Sequence, residues 1–118
     1  MEKLKVIFHV NEAGKWDVAI GNVTNLLNDT GDDAVEPVIL ANGPSVEAFT
    51  NTAQVETMKA LASRGVIFLA CRNSLKKLCS QSSACISEEF LPKFIRVVPS
   101  GVTELVRRQA AGFAYIKP

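Results

Sequence analysis

The sequence lacks several features that would assign a function directly. Its 118 residues carry a formal net charge of only +1, so no excess of positive charge is available to neutralise a nucleic-acid backbone. Its longest apolar runs, residues 6–8 and 66–71, are far shorter than the roughly 20 residues that span a bilayer. We therefore expect neither a nucleic-acid partner nor a membrane segment.

Export and cofactor signals are also missing. The amino terminus leads directly into a first apolar run that is too short for a signal peptide, which predicts a cytoplasmic protein. An odd number of cysteines, three, argues in that setting against a disulfide framework and for reduced thiols. Neither the glycine pattern of dinucleotide-binding folds nor a P-loop occurs, and the cysteine spacing resembles no zinc site. We expect no cofactor and no metal.

What the sequence does contain is a regular alternation of two apolar patterns. Near-continuous apolar runs predict parallel strands covered on both faces, at residues 4–10, 35–41, 66–71, 95–98 and 113–116. Three- and four-residue spacing predicts helices from residue 16 to about residue 30, between a capping Asn51 and Gly65, and over residues 102–110. Residues 73–78 are interpreted as a short helix at most, and residues 81–89 as a loop.

This alternation predicts one α/β domain over residues 1–118. Strands joined by long crossovers form a mostly parallel sheet with helices on both faces. The expected fold is a flavodoxin-like three-layer α/β/α sandwich with five strands in the order 2-1-3-4-5. Because Pro37 cannot donate to a strand ladder, strand 2 is expected at a sheet edge, which agrees with that order.

Sites in such sheets lie beyond the carboxyl ends of the strands, where the strand order reverses. For the order 2-1-3-4-5, this crevice lies between strands 1 and 3. Strand 1 brings His9, Asn11 and Glu12 to it, and strand 3 brings Cys71 together with the segment of residues 72–74, which is Arg72, Asn73 and Ser74.

Cys71 is the candidate nucleophile, because it lies where a strand turns into a helix and has cationic neighbours. Both features favour the thiolate, which is the reactive form. The alternative is a small core residue, since free cysteines are often buried. His9 is a candidate base or orienting group, or else a core histidine. Cys79 and Cys85 are either resolving cysteines for Cys71 or incidental.

Several segments resemble the DsrE/DsrF-like family. They are VIFHVNE at residues 6–12, GNVTNLL at 21–27, ACRNSL at 70–75, and the ending from residue 101 through RRQ at 107–109 to AYIKP at 114–118. The resemblance implies a flavodoxin-like fold and a homo-oligomer, either a trimer or a hexamer. It also implies that Cys71 corresponds to a cysteine that carries sulfur as a persulfide between donor and acceptor proteins.

The first hypothesis is therefore a sulfur carrier similar to a sulfurtransferase. It uses Cys71 with His9, and its ligand-binding residues are Asn11, Glu12, Arg72, Asn73 and Ser74. The alternatives are a non-catalytic module that binds a small anion and an assembly subunit with an unreactive Cys71. Arg107, Arg108 and Gln109 are assigned either to an anion or subunit contact or to a solvated helix end.

Overall fold

The computed structural model describes residues 2–81 and 85–118. Its strands are β1 (Leu4–Val10), β2 (Val35–Ala41), β3 (Ile67–Cys71), β4 (Ile95–Val98) and β5 (Ala114–Ile116). Its helices are α1 (Trp16–Thr30), α2 (Thr52–Ala62), α3 (Arg72–Gln81) and α4 (Gly101–Ala110). Short 3₁₀ segments include Gly43–Thr50, between β2 and α2. All five predicted strands are present.

Local signals account for most of the helix ends. Asn51 caps α2 by accepting a hydrogen bond from the backbone N–H of Gln54 at 3.0 Å. Gly31 follows α1 with a φ of 88°, a conformation that favours glycine. The third helix is longer than predicted, because α3 extends to Gln81 and packs Leu75 and Leu78 against the core. The predicted loop over residues 81–89 therefore begins inside α3, ends in the 3₁₀ segment Glu88–Phe90, and includes residues 82–84, which lie outside the described residues.

The five strands form one parallel sheet in the order β4-β3-β2-β1-β5. The spatial layout is the predicted one, since one edge strand lies on one side of β1 and three strands follow on its other side. The strands that occupy these places have other numbers than predicted. β5 occupies the edge place that we had given to strand 2. The α/β, flavodoxin-like fold class is thus confirmed, and the numbering of the strands within it is corrected.

The expectation that strand 2 lies at an edge is wrong. β2 pairs with β1 along its whole length, from Val35 to Ala41, and with β3 from Val38 onward. Pro37 lies one residue before the β2–β3 ladder begins. The missing N–H of the proline therefore does not interrupt that ladder, and β2 keeps an interior position.

The helices divide unequally between the two faces of the sheet. The larger core cluster joins one face to α1, to Gly43–Thr50, to α2 and to α3, whereas the smaller cluster on the other face contains Leu105 of α4. Right-handed crossovers require this division, because the chain steps from β1 to β4 in one direction and returns to β5 in the other. α3 and α4 thus leave the neighbouring strands β3 and β4 towards opposite faces of the sheet.

The expectation of three reduced thiols is also wrong. Cys79 and Cys85 form a disulfide with a Cα–Cα distance of 4.4 Å, and Cys71 is free and buried. An odd number of cysteines excludes complete pairing, but it leaves room for one local pair six residues apart. In the described part of the chain, no helix is long and apolar enough to cross a membrane.

Candidate functional site

Cys71 lies at the amino end of α3 and is only 5% exposed. It is the last residue of β3, so its side chain stands where a capping side chain would accept hydrogen bonds from the first free N–H groups of the helix. The Ser74 hydroxyl and the backbone N–H groups of Asn73 and Ser74 lie near the sulfur, and their hydrogen-bonding capacity lowers the pKa of the thiol. The sulfur therefore has the role of a helix cap.

A second helix points at the same sulfur. The backbone N–H of Gly101, the first residue of α4, donates to Cys71 Sγ at 3.3 Å. The partial positive ends of two helices consequently meet at one thiol, and this arrangement favours negative charge there.

The pKa of the Cys71 thiol is lowered on balance. Burial is the largest single influence and raises the pKa, because it disfavours the charged thiolate. The hydrogen bond from the Ser74 hydroxyl and those from the backbone N–H groups of Gly101, Ser74 and Asn73 lower the pKa and together outweigh burial. The site thus favours the nucleophilic form of the cysteine.

Gly101 makes room for this convergence. A Cβ at this position would lie 3.3 Å from Cys71 Cβ and 3.2 Å from Asn42 Cβ, which is a tight contact on both sides. Gly101 is not among the glycines with positive φ, so the backbone conformation itself does not require a glycine. Glycine is needed here because Cys71 and Asn42 approach the start of α4 closely.

Asn42 links Cys71 to the single histidine. It follows β2 directly, and its Oδ1 lies 2.8 Å from His9 Nε2. On the other side of the imidazole ring, Nδ1 lies 2.7 Å from the Tyr115 hydroxyl on the edge strand β5. A hydrogen-bonded row therefore runs across three strands, from Tyr115 through His9 to Asn42, and ends beside the thiol.

Ser74 joins the thiol to a neighbouring groove. Its hydroxyl also accepts a hydrogen bond from the backbone N–H of Gly43 at 2.7 Å, which fixes α3 against the segment after β2. A groove of ≈ 320 Å³ opens on the far side of Ser74. The groove is lined by Gly43, Pro44, Glu47, Ser74, Lys77, Leu78 and Gln81.

The other predicted residues have different surroundings. Arg72 is held by Glu88 in a two-pronged exposed ion pair, with Nε–Oε2 at 2.8 Å and Nη2–Oε1 at 3.1 Å. Asn73 contributes its backbone N–H to Cys71 rather than its exposed side chain. Asn11 and Glu12 begin the loop after β1, where the Glu12 carbonyl accepts a hydrogen bond from Lys15 N at 3.1 Å. Among these residues, the structure brings Ser74 and the Asn73 backbone to the thiol.

The three predicted residues at the end of α4 differ in their contacts. Arg108 pairs with Glu104 on its own helix at 2.7 Å and lies over the Phe113 ring, whereas Arg107 and Gln109 are exposed.

Within residues 2–81 and 85–118, no three His, Cys, Asp or Glu side chains are grouped as they would be around a metal ion.

Comparison with known proteins decides the family. The profile of the DsrE/DsrF-like family matches residues 21–118. The chain belongs to the DsrE/DsrF-like family. Among solved structures, it is similar to MTH1491 of Methanobacterium thermoautotrophicum, a protein of unknown function, with 30% identity and a TM-score of 0.83 over 98% of this chain and 100% of that one. No curated protein matches the chain.

The family match includes most of the site but not all of it. Asn42, Cys71, Ser74, Gly101 and Tyr115 lie within the matched residues of this DsrE/DsrF-like protein, and His9 precedes them. Sequence reasoning missed Asn42, Gly101 and Tyr115. Asn42 carried one usable signal, since it directly follows a strand, but its Asn-Gly-Pro context indicated only a turn. Tyr115 carried none, because its role depends on β5 lying beside β1.

Proposed function

We propose that this DsrE/DsrF-like protein carries sulfur as a persulfide on Cys71. The observation that carries the proposal is the convergence of the amino ends of α3 and α4 on one buried thiol with a lowered pKa. Such surroundings stabilise a thiolate for attack on another sulfur atom. Membership of the family supports the same reaction class.

The proposed cycle needs no external oxidant or reductant. The Cys71 thiolate attacks the outer sulfur of a donor persulfide, R–S–SH; a new bond forms between Cys71 and that sulfur, and the donor S–S bond breaks. The donor leaves as the thiolate R–S⁻ with the electron pair. In the second step, an acceptor thiolate attacks the same outer sulfur, takes it as a persulfide and releases the Cys71 thiolate.

The surroundings of Cys71 favour a carrier of small, transferable sulfur. With the cysteine 5% exposed, a donor has to present its terminal sulfur directly at Cys71, and the rest of the donor stays outside. The groove beyond Ser74, with Lys77 and Glu47 in its lining, offers a donor or acceptor protein a surface next to the thiol. Donor and acceptor proteins are therefore part of the proposal.

The test is sulfur uptake measured by intact mass. After incubation with glutathione persulfide, wild type is expected to gain one sulfur atom on Cys71, and Cys71→Ser is expected to gain none. The matched control is the double variant Cys79→Ser/Cys85→Ser, which removes the other two cysteines and should load like wild type. Uptake by Cys71→Ser equal to that of wild type would show that the sulfur is not carried on Cys71.

We also propose that the chain assembles as a homo-oligomer through α4 and β5. Val102 and Val106 of α4 are 64% and 61% exposed, and Tyr115 and Ile116 of the edge strand are also exposed, so both elements present apolar surface. A second copy of this chain suits these elements, because an exposed strand edge offers the same unpaired groups to another copy. Light scattering should show a trimer or hexamer that Val106→Glu dissociates and the control Val18→Glu on α1 does not. A monomeric wild type would contradict the proposal.

A further inference from the structure

Asn42 is held in place through its backbone. Its N–H donates to the Val10 carbonyl at 3.1 Å, which extends the pairing of β1 with β2 by one residue. Its carbonyl lies 2.7 Å from the hydroxyl of Ser45, a fully buried residue whose hydroxyl also lies 2.6 Å from the Val10 carbonyl. The backbone at Asn42 therefore has little freedom, and its side chain starts from a fixed point.

The side chain of Asn42 is oriented by the histidine. An amide oxygen can only accept hydrogen bonds, so the 2.8 Å contact with Asn42 Oδ1 requires the proton on His9 Nε2. His9 Nδ1 is then the acceptor of the neutral ring, and the Tyr115 hydroxyl donates to it at 2.7 Å. The Tyr115 hydroxyl therefore holds the His9 ring from one side, and the ring holds the amide oxygen of Asn42 from the other.

The amide nitrogen of Asn42 points to the space beside the thiol. Asn42 Nδ2 lies 3.4 Å from the point where a Cβ of residue 101 would be, and Cys71 Cβ lies 3.3 Å from the same point. Within residues 2–81 and 85–118, Nδ2 has no hydrogen-bond acceptor, whereas the other polar groups of Asn42 are paired. A donor without a protein acceptor among these residues therefore lies beside Gly101, the residue whose N–H donates to Cys71 Sγ.

We propose that Asn42 is a sulfur-binding residue that donates a hydrogen bond from Nδ2 to the outer sulfur of the Cys71 persulfide, with His9 and Tyr115 as its positioning residues. The inference rests on the proposed function. The donors from Asn73, Ser74 and Gly101 already serve the inner sulfur, Sγ, so the outer sulfur needs a donor of its own. A charged acceptor gains more from such a bond than a neutral one does.

Asn42→Asp removes this donor and brings a negative charge close to the sulfur, and both changes disfavour the persulfide anion. An aspartate keeps an oxygen for His9 Nε2 and removes the N–H that faces the sulfur. The experiment measures, by intact mass, the loaded-to-unloaded ratio of Cys71 at equilibrium in a fixed mixture of glutathione persulfide and glutathione. We expect the ratio to fall about tenfold, since a hydrogen bond to a charged group is lost. The control is Asn25→Asp, which adds the same charge at an exposed position of α1.

Tyr115→Phe tests the positioning residues and leaves Cys71 and Asn42 unchanged. It removes one hydroxyl from the edge strand, where the side chain is 41% exposed. We expect a loss of about threefold in the same ratio, because one neutral hydrogen bond disappears. A merely structural role would lower the melting temperature and leave the ratio unchanged. Should Asn42→Asp not fold, an unchanged ratio in Tyr115→Phe would overturn the inference.

The outcomes separate this inference from the proposed function. If wild type takes up no sulfur, the proposed function fails, and the inference fails with it. If wild type loads and Asn42→Asp loads as Asn25→Asp does, Asn42 does not bind the sulfur and the carrier function stands. A tenfold fall of the loaded-to-unloaded ratio in Asn42→Asp, with no fall in Asn25→Asp and an intermediate fall in Tyr115→Phe, supports the whole row from Tyr115 to the sulfur.

Discussion

The two ends of α3 hold the same residue type in opposite chemical states. At the amino end, Cys71 is a free, buried thiol that accepts hydrogen bonds from two helices. At the carboxyl end, the exposed Cys79 is joined to Cys85 in a disulfide. Seven residues of α3, 72–78, therefore separate a thiol placed for reaction from a sulfur placed for structure.

The direction of the helix explains the difference. Free N–H groups and partial positive charge at the amino end stabilise a thiolate, whereas carbonyl groups and partial negative charge at the carboxyl end disfavour one. Cys79 therefore lacks the features that activate Cys71. The disulfide instead links the last turn of α3 to Cys85, which lies three residues before Glu88, the ion-pair partner of Arg72.

The largest expected effect comes from removing the structural sulfur atoms. Cys79→Ser/Cys85→Ser opens a short loop, with a sequence separation of 6, and should lower the free energy of unfolding by about 2 kcal/mol. Urea denaturation measures this loss. The alkylation rate of Cys71 should stay the same, because its donors lie at the other end of α3. A changed rate would show that the two ends of the helix are coupled and would break the comparison.

The next effect concerns the donor at the amino end. Ser74→Ala removes the hydroxyl that lowers the pKa of Cys71 and should therefore raise that pKa. The pH dependence of iodoacetamide alkylation measures the shift. Ser80→Ala is the matched control, since Ser80 lies on the same helix and its hydroxyl donates to the Lys77 carbonyl at 2.9 Å. Equal pKa values in both variants would contradict the role of Ser74.

The same thiol links stability to pH. Its pKa is lowered in the folded chain, so the unfolded chain binds more protons between the folded and unfolded pKa values of Cys71. Wild type should therefore gain stability over Cys71→Ser as the pH rises through that window. The gain should be complete above the unfolded pKa and lost as the pH falls through the folded one. Unfolding experiments at several pH values measure the difference.

Much of the fold could be predicted, because it depends on local patterns. The apolar runs located all five strands, and Asn51 and Gly31 marked helix ends at the correct places. Which strand lies at which edge depends instead on tertiary pairing. Pro37 indicated an edge, but its position just outside the β2–β3 ladder makes it compatible with the interior.

The candidate site could be predicted only in part for the same reason. Cys71 and Ser74 lie beside a strand end in the sequence itself, so local reasoning found them. Asn42 and Tyr115 join the site because β2 and β5 flank β1 and bring them to either side of His9. The predicted order separated strand 5 from strand 1 and placed strand 2 at the edge rather than between strands 1 and 3, so it brought neither Tyr115 nor Asn42 to the site.

The smallest expected effect concerns the space between Cys71 and Asn42. Gly101→Ala places a methyl group 3.3 Å from Cys71 Cβ and 3.2 Å from Asn42 Cβ, so we expect a loss of about 1 kcal/mol in stability and weaker sulfur loading. Gly21→Ala, inside α1 with nothing near its Cβ, should gain about 0.5–1 kcal/mol. Both glycines have backbones that alanine tolerates. Thermal unfolding and persulfide loading of the two variants therefore separate crowding at the site from helix propensity, and a stabilised, fully loading Gly101→Ala would show that the gap has no role.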